Sequence, residues 1–306
     1  MRKDLPAYIA LGVVCLIWGT TYLALRIAVT HFPPFLFIAI RQVIAGGALI
    51  GFVFLTGKGE WPDKANLIRQ AIAGFFMISL GQGLVAWAEM HIPSGVAAVI
   101  CSLMPMQVVL VNLLVNREEK PTLPIIVGVI IGLSGIMMIF GEQGNEFWRP
   151  EYLTGIALTF LGVLSWACCS VWLKKGQSQS GTFVNAGLQL FFGGLWLVPT
   201  SLLLDDLGSV TWSSEVLYSL IYLIVFGSII AFGCYTYALR KLPITIVSLY
   251  AYINPIVAVI LGWVVLDETL TAKIGAAIFI TVGGIYIVNR GYQLRDFWKA
   301  QFSIKR

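Results

Sequence analysis

The chain is written twice. Ile17-Trp18 and the run to Arg26 are echoed by Ser165-Trp166 and the run to Lys174, an offset of 148 residues. Trp87, Pro93, Pro105 and Glu118 are echoed by Tyr237, Pro243, Pro255 and Glu268, an offset of 150. Each copy carries an odd number of apolar spans, so two such copies in one bilayer insert with opposite polarity. The expected fold is therefore two like halves, one inverted relative to the other.

That inference needs the chain to live in lipid, and its composition says that it does. Of 306 residues, 58% are hydrophobic and only 11% are charged, against about 25% charged in a soluble domain. Mean hydropathy is +0.86. Apolar runs fall at 7–29, 33–56, 67–88, 93–115 and 123–140, then at 152–173, 182–204, 216–239, 244–266 and 271–289. Each is close to the roughly 20 residues that a helix needs to cross about 30 Å of hydrocarbon. The expectation is an all-α polytopic membrane protein with ten transmembrane helices in two inverted five-helix repeats. No run alternates with a period of two, which argues against a barrel.

Charge sets the orientation. With the N-terminus in the cytoplasm, 16 of the 20 basic residues fall in cytoplasmic segments or in the C-terminal tail, among them Lys64, Arg69, Lys174, Lys175, Arg240 and Lys241. Arg149 alone falls in an outside loop, while Arg26, Arg41 and Lys273 lie within expected helices. This is the positive-inside pattern, with both termini cytoplasmic. The net charge of +5 then reflects orientation, and nucleic acid is not an expected partner. The first apolar run lacks a small-residue cleavage site and is read as an uncleaved first helix. The divisions expected are a first repeat at 1–141, an external linker at 142–151, a second repeat at 152–289, and a basic tail at 290–306.

Punctuation repeats as well. Pro105 and Pro255 fall in the fourth helix of each copy, where a proline removes a backbone donor and kinks the helix. Corresponding Pro-interrupted spans point to a midplane site between inverted repeats. Gly128 and Gly132 form a GxxxG pair, and Gly46 matches Gly194; such residues let helix backbones approach. Packing within a monomer is the reading preferred over a weak homodimer. The five cysteines, Cys15, Cys101, Cys168, Cys169 and Cys234, sit inside spans without a CxxC and read as packing residues.

The ordered runs IWGTTYLALRIAV (17–29), PPFLFIAIRQ (33–42), AEMHIPSGVAAVI (88–100) and SLYAYINPIVAVILGWVVLDETLT (248–271) resemble drug/metabolite transporters of the EamA type. The resemblance covers nearly the whole chain. It implies ten helices, an inverted five-plus-five repeat, and export of small metabolites, often amino acids or drug-like amphiphiles, across a bacterial-type inner membrane. It names no substrate.

Polar residues within the spans are the candidates for a substrate site. Arg41 lies about 12 Å into its helix at 1.5 Å per residue, where it either binds a substrate carboxylate or ties kinked backbone or Glu89. Trp18, Tyr22 and Arg26 share a helix face at i, i+4, i+8; the second copy reads Trp166, Ser170 and Lys174. The aromatic pair Trp18 and Tyr22 either lines a cavity or packs, and Arg26 and Lys174 are expected to snorkel to the interfaces. Further candidates are Gln82, Trp87, Gln107, Asn185, Gln189 (the counterpart of Arg41), Tyr250 and Asn254. The cavity is expected between helices one, three, four, six, eight and nine, with Arg41 near its outer end.

Glu89 is the carboxylate available for proton coupling, although its place near a helix end beside His91 also suits an ordinary loop edge. A facilitator driven by the solute's own gradient is the alternative. His31 and His91 stand alone, and no HExxH, GxSxG or phosphate loop is present, so neither an enzyme nor a bound metal or cofactor is expected. A metabolite sensor or scaffold on the same fold, or a channel, is the competing class. It is disfavoured by the 17-residue tail, which offers no signalling appendage, and by the lack of a filter sequence.

Overall fold

A computed structural model describes residues 5–57, 61–115, 123–142, 149–175, 180–248, 250–267 and 271–303. Glu118, Glu268 and most of the expected linker lie outside these. The described residues form α1 (Leu5–Val29), α2 (Pro34–Leu55), α3 (Lys64–Ala88), α4 (Ser94–Val115), α5 (Leu123–Glu142), α6 (Pro150–Lys175), α7 (Thr182–Leu204), α8 (Ser214–Lys241), α9 (Tyr250–Leu266) and α10 (Ala272–Ser303). A short helical turn, Ile244–Val247, precedes α9. No strand occurs among the described residues.

Seven of these helices, α1 to α4 and α6 to α8, are long and apolar enough to cross a membrane. The apolar stretches of α5, α9 and α10, at Ile126–Gly135, Ile253–Leu266 and Ala272–Val288, are shorter. Leu16 (66% exposed), Phe52 (64%), Leu203 (82%) and Phe279 (82%) stand on the outer surface. In water such a belt would drive association; against lipid tails it is ordinary.

Helix ends are set locally. Asp63 accepts the Asn66 N–H at 2.9 Å and starts α3, and Ser213 accepts the Val216 N–H at 3.3 Å and starts α8. Both use a side-chain oxygen to satisfy an orphan donor of the first turn. Pro34 opens α2, where a missing N–H costs nothing. The start of α2 also borrows a cap from a distant helix end: the Asp205 carboxylate, just beyond α7, accepts from Leu36 N–H at 2.7 Å and Phe35 N–H at 3.4 Å.

Packing repeats between the halves. α1 rests on α8 and α9, as α6 rests on α3 and α4, while α2 pairs with α7 and α5 with α10. Glycines make the two self-paired contacts. Gly46 lies against Gly187 and Phe191, and Gly194 lies against Ala39 and Val43. Position numbers rise on one helix as they fall on the other, so α2 and α7 are antiparallel. The same holds where Gly128 meets Gly284 and Val288 while Gly135 meets Ala277 and Thr281. Equivalent helices of the two halves thus run in opposite directions, and the GxxxG pair packs inside the chain.

The third helix of each half departs from α geometry at a matched place. α3 widens to a π-helix over Phe75–Gln82 and α8 over Leu223–Ile230, an offset of 148 residues. Each extra backbone residue per turn turns the helix and re-aims the side chains after it. α4 is interrupted at Ser102 and Leu103, and Pro105 follows at the start of its second segment, Met104–Val115. Pro255 lies inside α9. The breaks in the two halves therefore sit at different distances from their prolines.

Cys15 and Cys169 are buried, Cys101 and Cys234 half-buried, and Cys168 exposed, all as free thiols. Cys168 thus faces outward instead of packing.

Candidate functional site

Where the two halves meet, a cavity of about 110 Å³ opens. α1 contributes Trp18, Thr21, Tyr22 and Leu25; α2, Arg41; α3, Gly81, Gln82 and Val85; and α4, Ala98, Cys101, Ser102 and Met104. The second half contributes Gly162, Val163 and Trp166 from α6, and Tyr250, Ala251 and Asn254 from α9. The close approach of Gly81 to Gly162 and Trp166 brings α3 onto α6 here.

Of the residues picked from sequence, Trp18, Tyr22, Arg41, Gln82, Trp166, Tyr250 and Asn254 converge on this cavity. Trp87 packs instead on Phe35, ring centroids 5.5 Å apart. Gln107 is 2% exposed, and both ends of its amide lack a hydrogen-bond partner among the described residues; it does not reach the cavity. Gln189 lies in a second cavity, described below. Glu89 is completely buried at the end of α3 but does not line the cavity, so it is no loose loop-edge carboxylate. α8 supplies no lining side chain; α2 takes its expected place.

α8 acts from behind the wall. Arg41, 4% exposed, donates Nε–H to Ser228 Oγ at 2.9 Å. Ser228 Oγ donates to Gln42 Oε1 at 2.9 Å, and Gln42 Nε2 donates to Gln82 Oε1. Ser228 belongs to one π segment and Gln82 to the other. Arg41 is therefore held by a relay joining the two distorted helices, in which the Ser228 hydroxyl and the Gln42 amide each accept on one side and donate on the other. No Asp, Glu or His lines the cavity, and Arg41 has no ion pair among the described residues.

One end of the cavity is an aromatic cluster. Trp18 meets Trp166 at 5.6 Å and Tyr250 at 4.9 Å edge-on, and Tyr235 at 5.1 Å with the rings tilted. Tyr235, 1% exposed, is the centre. Its hydroxyl accepts from Trp166 Nε1 at 3.1 Å and lies 2.9 Å from Ser170 Oγ. Ser170 gives its own proton to the Trp166 carbonyl at 2.8 Å, which leaves Tyr235 as donor to Ser170. Trp18 Nε1 donates to the Gly227 carbonyl, 3.1 Å away in the π segment of α8. With its amide oriented to suit its surroundings, Asn254 donates to the Tyr250 and Cys15 carbonyls, each at 3.1 Å. That bond ties α9 to α1.

Two turns along α6 from Trp166 lies a second cavity of about 340 Å³, lined by Arg69, Gln70, Leu173, Lys174, Thr182, Asn185, Gln189, Thr236, Leu239 and Arg240. Its cations rest on carbonyls. Lys174 donates to Leu239 O at 2.7 Å and Leu242 O at 2.9 Å, and Arg69 donates to Leu173 O at 3.2 Å. Both cap the negative ends of helices, so Lys174 is pinned at a helix terminus where sequence suggested a freely snorkelling side chain. Gln189 donates to Gln70 at 2.6 Å, and Gln70 to Asn66 at 2.7 Å. Asn66 in turn donates to Ser180 at 2.8 Å and Asn185 at 3.0 Å. The position equivalent to Arg41 is thus filled by a neutral amide that joins α7 to α3.

Sequence reasoning missed Tyr235, Ser228, Gln42 and Ser102. The echo of Trp87 was placed at Tyr237; the 148-residue spacing of the π segments places it at Tyr235.

The pattern of the EamA-like transporter family matches residues 5–141 and 153–290. The chain belongs to the EamA-like transporter family. It is 32% identical over 294 residues to an uncharacterized inner membrane transporter, YedA, of Escherichia coli K12, covering 96% of this chain and 94% of that one. It is 27% identical over 267 residues to protein PecM of Dickeya dadantii, covering 86% of each, and 24% identical over 274 residues to an uncharacterized transporter, YoaV, of Bacillus subtilis, covering 90% and 93%. A solved crystal structure shares the fold with a TM-score of 0.69 and 20% identity, covering 92% of this chain and 95% of that one. This EamA-like chain is a multi-pass membrane protein of a transporter family.

Proposed function

We propose that this EamA-like protein is a secondary transporter of the bacterial inner membrane, exporting small organic solutes by alternating access. Ten spans, in repeats at 1–141 and 152–289 joined by an external linker at 142–151, place both termini and the basic tail at 290–306 in the cytoplasm. The inner-membrane location rests on the likeness to YedA and the orientation on the distribution of Lys and Arg. The two halves rock about the central cavity, where the solute meets Trp18, Tyr22, Arg41, Gln82, Trp166, Tyr250 and Asn254.

One observation carries the reading. In the second half, Trp166, Ser170 and Tyr235 are hydrogen-bonded together behind the cavity wall that Trp166 lines. Of the residues 148 positions earlier, Trp18 and Tyr22 line the cavity, but Trp87 stands away from them and leans on Phe35. Inverted halves that exchange conformations would open the first set as they close the second. Such an asymmetry is what one state of a rocking carrier requires, and a static scaffold has no need of it.

The test is flux through purified protein in proteoliposomes, for a mixed panel of amino acids and amphiphilic metabolites, with and without a pH gradient. Saturable exchange of a labelled solute supports the carrier. Stimulation by the gradient establishes coupling to protons and makes Glu89 the residue to mutate; indifference to it favours facilitated transport. Solutes that bind without exchanging would instead make the chain a membrane sensor or scaffold.

A further inference from the structure

We infer that the solute is an organic monoanion, a carboxylate on a body of about one aromatic ring, with Arg41 as its counter-ion. This rests on the reading of the central cavity as the transport site. A guanidinium within a membrane span is expensive unless it is paired or faces water. Arg41 is nearly fully buried, its Nε is committed to Ser228, and no carboxylate among the described residues balances it. The cavity holds a positive charge and no negative one.

A structural role does not account for the charge. The equivalent position of the other half, Gln189, ties α7 to α3 through Gln70 with a neutral amide. If α2 needed only a tie to α8, a glutamine would serve there too. The charge appears in one half only, at the side chain that reaches the cavity. An incoming carboxylate would supply the missing partner, since guanidinium presents parallel N–H groups to its two oxygens.

The rest of the wall sets the body of the solute. Trp18, Trp166, Tyr22 and Tyr250 line the cavity with aromatic rings and Leu25, Val85 and Ala98 with aliphatic groups. The volume of about 110 Å³ is on the scale that takes a single aromatic ring. Buried Glu89 interacts electrostatically with Tyr22 and Cys101 of the wall but does not line the cavity, so an ammonium group would find no carboxylate in the cavity itself, whereas a carboxylate would find Arg41. The second cavity is likewise lined by Arg69, Lys174 and Arg240 with no acid, so a cation is disfavoured in both chambers.

Three probes share a phenylethyl body and differ only in charge: 3-phenylpropanoate, phenylalanine and 2-phenylethylamine. Their binding to the full chain in detergent would be followed by tryptophan fluorescence, to which Trp18 and Trp166 contribute two of the ten indoles, and by thermal stabilisation. 3-Phenylpropanoate is expected to bind at least tenfold more tightly than phenylalanine, with 2-phenylethylamine weaker still. Arg41→Gln should bring the three within about threefold of one another, and Arg41→Lys should keep their order. The wild-type series stands on its own if either variant fails to insert. Equal or tighter binding of phenylalanine or the amine, no binding of any of the three, or a preference that survives Arg41→Gln would overturn the inference. Exchange of labelled 3-phenylpropanoate in proteoliposomes separates the two readings. Carboxylate-selective binding without exchange keeps the anion site and removes the carrier; exchange without charge preference does the reverse.

Discussion

Asp205 and Arg41 are both single charges in an apolar frame, and they do different work. Asp205 serves α2 and α7 at once: its carboxylate takes the Leu36 and Phe35 N–H groups at a helix N-terminus, where negative charge is favoured. Asp205→Ala should lower stability by about 1 kcal/mol, read as a lower unfolding midpoint in detergent; an unchanged midpoint would show the cap to be idle. Sequence pointed to Arg41 because an arginine inside a span is rarely idle, and Trp18 and Tyr22 because helical spacing put them on one face. It could not find Ser228, Gln42 or Tyr235. A small polar residue in a span usually bonds within its own bundle, and one aromatic among many carries no mark until its neighbours are known.

At the scale of elements, seven of the ten expected runs coincide with helices long and apolar enough to cross a membrane, since apolar length is what lipid reads. The ninth helix starts late, at Tyr250, and the tenth runs on to Ser303 through the stretch expected to be a tail. The π segments were illegible: Phe75–Gln82 and Leu223–Ile230 share an offset but no residue pattern that demands the wider turn. They shift the register after them, which is why the counterpart of Trp87 was sought at Tyr237. Glycine contacts offer a sharp test of the α2–α7 pair. A Cβ at Gly46 would overlap the backbone of Gly187 and Phe191, whereas one at Gly47 would meet nothing within 4 Å. Gly46→Leu should therefore abolish a monodisperse folded protein, while Gly47→Ala should leave yield unchanged or raise stability by up to about 1 kcal/mol; similar outcomes for both would refute the packing. Tyr235→Phe removes the hydroxyl that bonds Trp166 and Ser170. The loss of about 1 kcal/mol should open that end of the cavity roughly fivefold more often. A Ser102→Cys probe in the cavity wall would report this as faster labelling from the face that carries Lys174; an unchanged rate would mean that the knot is no gate.

For the whole molecule, the doubled sequence implied the architecture because an odd number of spans per copy forces inversion. The antiparallel pairings of α2 with α7 and of α5 with α10 follow the same rule. What duplication could not show is where the halves differ. The neutral Gln189 against the charged Arg41, and the joined Trp166 and Tyr235 against the separated Trp18 and Trp87, are differences of side-chain placement between near-identical frames. They are also where the proposed function resides: a carrier needs two states of similar energy, and symmetry supplies the second at little cost.

Alternating access requires the cavity to open to one side and then to the other. Its most direct test is the Ser102→Cys protein, with the five native cysteines replaced, challenged by a membrane-impermeant maleimide from each face of sealed vesicles. A carrier is expected to be labelled from both faces, with the membrane remaining tight to small ions throughout. Labelling from one face alone, under every solute and gradient tried, would contradict it.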